Sequence, residues 1–250
     1  MKIQRALIIP DTHVPYHDKK AFSLMLRAVK TEHPDLAEIV LLGDFGEFAS
    51  VGSHPKDPQM DRSFQREVKA VRDELDRLDK LFPKANKVYI EGNHCDRLTR
   101  YLRDVAPELD GLVEAKELLL KGRKKWTWVD YGPGQQYSVL GSKLLARHEP
   151  TGGGEHCAAG TVKSCGASVI FGHVHRIQEF QTVDIEGKNH RGITPGWLGD
   201  ANHPIFNYVK KHHQWALGFS LVTVLPKGLW FNQTIHIINH KLVLNGKVYE

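Results

Sequence analysis

Residues 6–13 read Ala-Leu-Ile-Ile-Pro-Asp-Thr-His. A short apolar run ended by proline reads as a buried strand. It delivers Asp11 and His13, one residue apart, just past its end. The same arrangement recurs along the chain. Ile39–Leu42 leads to Gly43-Asp44, and Val88–Ile90 to Gly92-Asn93-His94. Leu144–Ala146 leads to His148, and Ser168–Phe171 to Gly172-His173-Val174-His175. Side chains past the carboxyl ends of strands line the crevice where α/β sheets place their sites. Asp, Asn and His offer carboxylate and carbonyl oxygens and neutral imidazole nitrogens, the donor set of hard-to-borderline divalent cations. His173 and His175 alternate along an extended segment, so both can face one side.

In this order and spacing, Asp-x-His, Gly-Asp, Gly-Asn-His, a lone His and Gly-His-x-His, the chain resembles the calcineurin-like metallophosphoesterases from Asp11 to His175. The resemblance implies an α/β fold: a two-sheet β-sandwich flanked by helices in four αββα layers, here one domain over residues 1–250. It implies two divalent metal ions, Mn first, with Fe, Zn, Ni or Co also suited to such ligands. By the family pattern Asp11, His13 and His175 hold one ion, and Asn93, His148 and His173 hold the other. Asp44 bridges them, because one carboxylate can offer lone pairs to two cations and offset their repulsion. His94 follows a ligand without being one, and its implied role is to protonate or stabilise the leaving oxygen. Glu47 falls where the family often has an aspartate partner for that histidine, one methylene longer.

The chain also departs from the pattern. Protein Ser/Thr phosphatases of the superfamily follow Gly-Asp-x-x-Asp with Arg-Gly, and the Arg grips phosphate; here Phe48-Ala49 stands instead. Cys95 replaces the acid that often follows Gly-Asn-His, and Asp96 comes one place later. Arg97, three residues past His94, is either a substrate-phosphate contact or a surface helix arginine. With the phosphatase Arg missing and His94 intact, the expected activity is phosphodiester hydrolysis, on nucleic acid or a nucleotide, by a metal-activated water. The alternatives are a phosphomonoesterase of small substrates and a non-catalytic, metal-bound scaffold.

Composition sets outer bounds. With 250 residues, 41% hydrophobic and 25% charged, the chain can bury a large core. No apolar stretch approaches the 18 residues of a membrane span. The apolar run in MKIQRALIIPD is too short for a signal segment, and Cys95, Cys157 and Cys165 suggest no disulfide framework, so a cytoplasmic protein is expected. A formal charge of +5 suits a polyanionic partner such as nucleic acid. The basic runs Lys121–Lys125 and Lys210–His213 serve equally as solvated loops.

Apolar steps of three and four predict helices over Lys19–Glu32 and Asp61–Phe82, and Leu98–Leu102 and Glu108–Leu120 read as helical. Hairpins are expected from Gln136–Leu140 with Lys143–Arg147, from Gln178–Ile185 with Asn189–Thr194, and around Asn245-Gly246. Trp215–Leu225 and Leu229–Ile238 read as strands. His17, His54, His156, His203, His212 and His213 read as solvated, with His156 beside the Gly152–Gly154 run the best placed to shape a pocket. A zinc site from His156, Cys157 and Cys165 lacks a C-x-x-C pair and a fourth ligand. Trp197 either lines the cleft or packs.

Overall fold

The apolar runs ahead of the ligand segments form strands buried on both faces. The structure, a computed structural model, describes residues 3–53, 63–152, 154–207 and 214–250. His54, Asp61, Gly153 and the Lys210–His213 run lie outside the described residues. In chain order the elements are β1 (Gln4–Ile9), α1 (Lys19–Glu32), β2 (Glu38–Leu41), α2 (Phe64–Leu81), β3 (Asn86–Ile90), α3 (Asp96–Val105), α4 (Ala115–Leu120), β4 (Trp126–Val129), β5 (Tyr137–Ser138) and β6 (Leu145–Arg147). Then come α5 (Cys157–Cys165), β7 (Val169–Phe171), β8 (Ile177–Val183), β9 (Asn189–Pro195), β10 (Gly218–Val224), β11 (Trp230–His236), β12 (Leu242–Leu244) and β13 (Lys247–Tyr249).

One sheet has the order β11-β10-β1-β2-β3-β4, and a second β5-β6-β7-β9-β8. β1 to β4 run parallel, so the loops that follow β1, β2 and β3 gather at one end. β6, β7 and β9 are parallel in the second sheet. Alternation along β1 explains the layering. Ala6 and Ile8 join Val40, Leu42, Val88 and Ile90 against Leu144, Ala146, Ile170 and Ile193 of the second sheet and its approach. Leu7 and Ile9 turn the other way, onto Phe22, Met25, Val29, Val71, Leu75 and Leu78 of α1 and α2. α5 covers the far face of the second sheet through Cys157, Ala158 and Val162 packed on Val169 and Phe171. The result is the expected four-layer αββα sandwich, because strands with both faces apolar must be covered on both sides.

Asp18 caps α1 by accepting from the Lys20 and Ala21 amides, and Ser63 caps α2. The helix expected over Glu108–Leu120 is broken. Pro107–Leu109 forms one 3-10 turn, Gly111 has a φ of +79°, and α4 begins only at Ala115. α5 and β4 were not expected from the sequence. No helix among the described residues is long and apolar enough to cross a membrane.

Candidate metal centre

Each ligand segment leaves its strand in a tight turn. His13, Asp44, His173 and His175 have positive φ of +57°, +44°, +68° and +57°. Such backbone is costly for non-glycine residues and clusters at functional sites. The turns brace one another: the amides of Thr12 and His13 both donate to the Asp44 carbonyl, at 3.1 and 2.9 Å. The glycines of two motifs have a steric cause. A Cβ on Gly172 would fall 2.5 Å from Asp11 Oδ2, and one on Gly92 would fall 2.8 Å from Asp44 Cγ. Those backbones lie against the carboxylates they flank.

The structure brings all seven expected ligands together. Ligand atoms within 4.8 Å of one another form the groups Asp11–His13–His175, His13–Asp44–His94 and Asp44–His148–His173. Asp44 links the last two, and His13 the first two. Asn93 completes the far end, with its Oδ1 2.9 Å from His148 Nε2 and 3.0 Å from His173 Nδ1. His94 has neither nitrogen free for an ion: Nδ1 lies 2.8 Å from Glu47 Oε2 and Nε2 2.9 Å from Arg97.

Several features fit these residues to cations. Asp11 Oδ2 is buried with no hydrogen-bond partner. A buried carboxylate oxygen without a partner is expensive unless a cation serves it. His13 and His175 face each other Nε2 to Nε2 at 3.0 Å. His13 gives its Nδ1–H to the carboxylate of Glu47 at 2.7 Å, which leaves a lone pair on Nε2. His148 gives Nδ1–H to the Leu42 carbonyl at 3.0 Å, while its Nε2 faces Asn93 Oδ1 and Asp44 Oδ2, the latter at 3.2 Å. Two acceptor oxygens around one nitrogen are satisfied by a proton or by a metal. The donor set is that of borderline divalent ions.

The electrostatics agree. Burial alone would raise Asp44, but the charge and hydrogen bond of His148 hold it well below the ordinary carboxylate range. Burial likewise opposes ionisation of Glu47, and His94 and His13 hold it well down. Burial would lower His148, yet Asp44 carries it up to about 9, so its Nε2 must give up a proton before it can hold an ion. Burial lowers His13 and His173, which favours the neutral imidazole a metal needs.

Glu47, 4% exposed, meets His94 as expected and also meets His13 through the same oxygen. Arg97 does not reach into open space. Its Nη1 donates to the Glu47 carbonyl and Oε1, at 2.8 and 2.7 Å, and its Nη2 approaches His94 Nε2. Phe48 is buried. Trp197 packs: it is 1% exposed, stacked on His175 at 4.8 Å and edge-on to His13. The sequence left that role open, and nothing in it announced Phe206, which lies edge-on to His13 at 5.5 Å. The Leu42 carbonyl that orients His148 is backbone and invisible to a motif. His17 is buried rather than solvated, and His156 is exposed at the head of α5. Cys157 and Cys165 sit at opposite ends of that helix, about 12 Å apart along its axis, which rules them out as joint zinc ligands with His156. The Lys121–Lys125 run precedes β4, at the end of the sheet opposite the ligands, and Arg123 is paired there with Asp76 and Asp79.

No family model matches the chain. The Gene 54 protein of Mycobacterium phage L5 is 24% identical over 261 residues, an alignment that covers 99% of both chains. Two solved structures are similar at low identity. One is a conserved protein of Streptococcus pneumoniae TIGR4 described as a predicted phosphoesterase, with a TM-score of 0.34, 10% identity and coverage of 94% of this chain and 99% of that one. The other is a 5'-nucleotidase precursor from Thermus thermophilus, with a TM-score of 0.41, 11% identity and coverage of 93% and 54%. The chain resembles the calcineurin-like metallophosphoesterases. The likeness rests on the motif order together with the αββα layers and the convergence of the motifs at one end of the sandwich.

Proposed function

We propose that the chain is a dinuclear metal-dependent phosphoesterase that hydrolyses phosphodiester bonds. The observation that carries this reading is the position of Asp44 beside the ligand groups on either side of it. Asp11, His13 and His175 would hold one divalent ion, Asn93, His148 and His173 the other, with Asp44 placed to serve both. Mn²⁺ is the first choice, and Fe, Zn, Ni or Co suit the same donors. When bound, such a pair supplies Lewis acidity, drawing charge from the phosphate oxygens and acidifying a water. The chain's own contribution is geometry. Asp44 keeps the two half-sites at a set distance, and Glu47 orients His94 beside them. His94 would serve the leaving oxygen through Nε2, once that nitrogen is protonated and released from Arg97, which holds it here.

Two observations favour a diester. Position 48 holds a buried phenylalanine where a phosphatase would have its clamp, and Arg97 is engaged by Glu47 and His94. A diester carries one charge at phosphorus and depends less on an added guanidinium than a dianionic monoester does. The net charge of +5 extends the reading to nucleotides or nucleic acid. The placement of Lys121–Lys125 away from the ligands favours the smaller substrate. The cytoplasm accords with the free cysteines. The test is elemental analysis after Mn²⁺ reconstitution, expected to give two equivalents, with bis(p-nitrophenyl) phosphate and p-nitrophenyl phosphate assayed side by side. One equivalent, or faster monoester turnover, defeats the respective part. No turnover of either ester with two ions bound returns the scaffold reading.

A further inference from the structure

The sequence alone left Arg97 as either a phosphate contact or a surface residue, and its surroundings match neither. The guanidinium reaches back from the first turn of α3. It meets three acceptors at once: the Glu47 carbonyl, Glu47 Oε1 and His94 Nε2. We propose that Arg97 is a positioning residue that clasps Glu47 and His94 together, so that one carboxylate sets both the leaving-group imidazole and the His13 ring of the metal centre.

The hydrogen-bond roles follow from what each group can do. A guanidinium is always a donor. His94 Nε2 therefore presents a lone pair to Arg97, and its proton sits on Nδ1, aimed at Glu47 Oε2. The same oxygen takes the Nδ1–H of His13. Both imidazoles are thus held as Nδ1–H tautomers by a single atom. That atom is fixed only if the rest of the carboxylate is fixed, and Oε1 is held by Arg97 in a salt bridge at 2.7 Å. Arg97 also grips the Glu47 backbone, the residue before Phe48 with its φ of +50°. The turn that carries Asp44 and Glu47 is pinned from outside by the helix that follows Asn93 and His94. A lysine cannot do this, because one ammonium cannot match three acceptors arranged for a planar fork.

The inference rests on the phosphoesterase reading for its kinetics, but not for its binding test. The variants are Arg97→Met, Arg97→Lys, Glu47→Gln and the double Glu47→Gln/Arg97→Met, each loaded with Mn²⁺. Arg97→Met is expected to lower kcat roughly 10–100-fold, the usual cost of losing an outer-shell partner. KM for bis(p-nitrophenyl) phosphate and inhibition by inorganic phosphate should stay within about threefold, since the ground-state phosphate does not touch Arg97. Arg97→Lys should remain well below the wild type. The double variant should be no worse than the weaker single, as expected of groups that act as a unit. Calorimetry should show Mn²⁺ affinity falling about tenfold at one of two steps in Arg97→Met. A phosphate clamp would instead raise KM and weaken phosphate inhibition tenfold or more while kcat held, and that result overturns the proposal. So does full activity in Arg97→Lys, or additive losses in the double variant. If the wild type hydrolyses no ester, the phosphoesterase reading falls on its own. Arg97 is then judged by the Mn²⁺ titration, where an unchanged affinity in Arg97→Met overturns it.

Discussion

Gly92→Ala should damage the metal centre more than its size suggests. The new Cβ would lie 2.8 Å from Asp44 Cγ, and closer still to its Oδ1 and backbone nitrogen. Ordinary contact begins near 3.4 Å, so the carboxylate must retreat by at least about 0.6 Å at Cγ, the difference between the two figures, and by more at Oδ1. It has little freedom to do so. Asp44 Oδ1 accepts the His94 amide at 2.9 Å, and its φ is already +44°. Metal–ligand distances tolerate about 0.2 Å, at most a third of the required shift. With Asp44 serving both half-sites, as proposed, both Mn²⁺ binding steps should weaken. Turnover should fall by about 10² or more, since displacements near 1 Å cost that much, which is about 2.7 kcal/mol of transition-state stabilisation. The overpacking itself should cost about 1–3 kcal/mol of stability. The assays are Mn²⁺ calorimetry, hydrolysis of bis(p-nitrophenyl) phosphate and a thermal melt. A Gly92→Ala protein that takes up two equivalents at wild-type affinity and turns over normally would refute the account of why this motif begins with glycine.

Other outcomes follow from single contacts. Gly160, within α5, has an ordinary φ, and a Cβ there would sit 3.6 Å from Gly152 Cα; Gly160→Ala should therefore stabilise by about 0.5–1 kcal/mol in urea unfolding. His94→Ala should keep both Mn²⁺ equivalents and lower kcat roughly 10²–10⁴-fold, with a smaller loss for esters with better leaving groups; an equal loss across leaving groups would assign it to phosphate binding. His17 is buried with neither ring nitrogen hydrogen-bonded, its Nε2 lying 3.7 Å from Glu74 Oε1, and burial first, then Lys19 and Arg77, hold it down to about 4. Its folded value lies below the unfolded 6.5, so its contribution is present above pH 6.5 and fades as pH falls toward 4. That is about 3 kcal/mol over the window. His17→Leu should flatten the acid side of the stability profile by about that amount, and parallel profiles for the two proteins would reject the assignment.

The parts of this protein that were legible in the sequence are those where local pattern and tertiary role agree. α1 runs over Lys19–Glu32 as its apolar steps require, and the three expected hairpins pair Tyr137–Ser138 with Leu145–Arg147, Ile177–Val183 with Asn189–Pro195 and Leu242–Leu244 with Lys247–Tyr249. The ligand motifs were legible because they need particular atoms. α5 was hidden because its sequence, Cys-Ala-Ala-Gly-Thr-Val-Lys-Ser-Cys, is rich in poor helix formers. Its packing explains them: the helix runs so near β9 that a Cβ on Gly192 would strike the Ala158 carbonyl. Small residues serve that close approach and carry no apolar stripe to read. β4 is a half-exposed edge strand of four residues, with no clean alternation. The Glu47 network was half legible. Its link to His94 is what the family resemblance implies for that position, but its links to His13 and Arg97 depend on how two turns and a helix meet.

The conflict between local preference and site explains why the centre should respond as a unit. Glycine would adopt the backbone of positions 13, 44, 173 and 175 without strain, yet Asp and His stand there, each at a cost of about 1 kcal/mol or more. Such conformations persist only where surrounding bonds over-determine them. Those bonds run between the ligand turns themselves: the His13 amide to the Asp44 carbonyl, the His173 amide to Asp11 Oδ1 at 2.8 Å, and the His94 amide to Asp44 Oδ1. Each turn is held in its strained form by a carboxylate or carbonyl of another. Loosening one turn removes the restraint on the next, so a substitution at one half-site should reach the other through backbone as well as through Asp44. On the proposed two-ion reading, these ties give the half-sites a backbone route of coupling beside the one through Asp44.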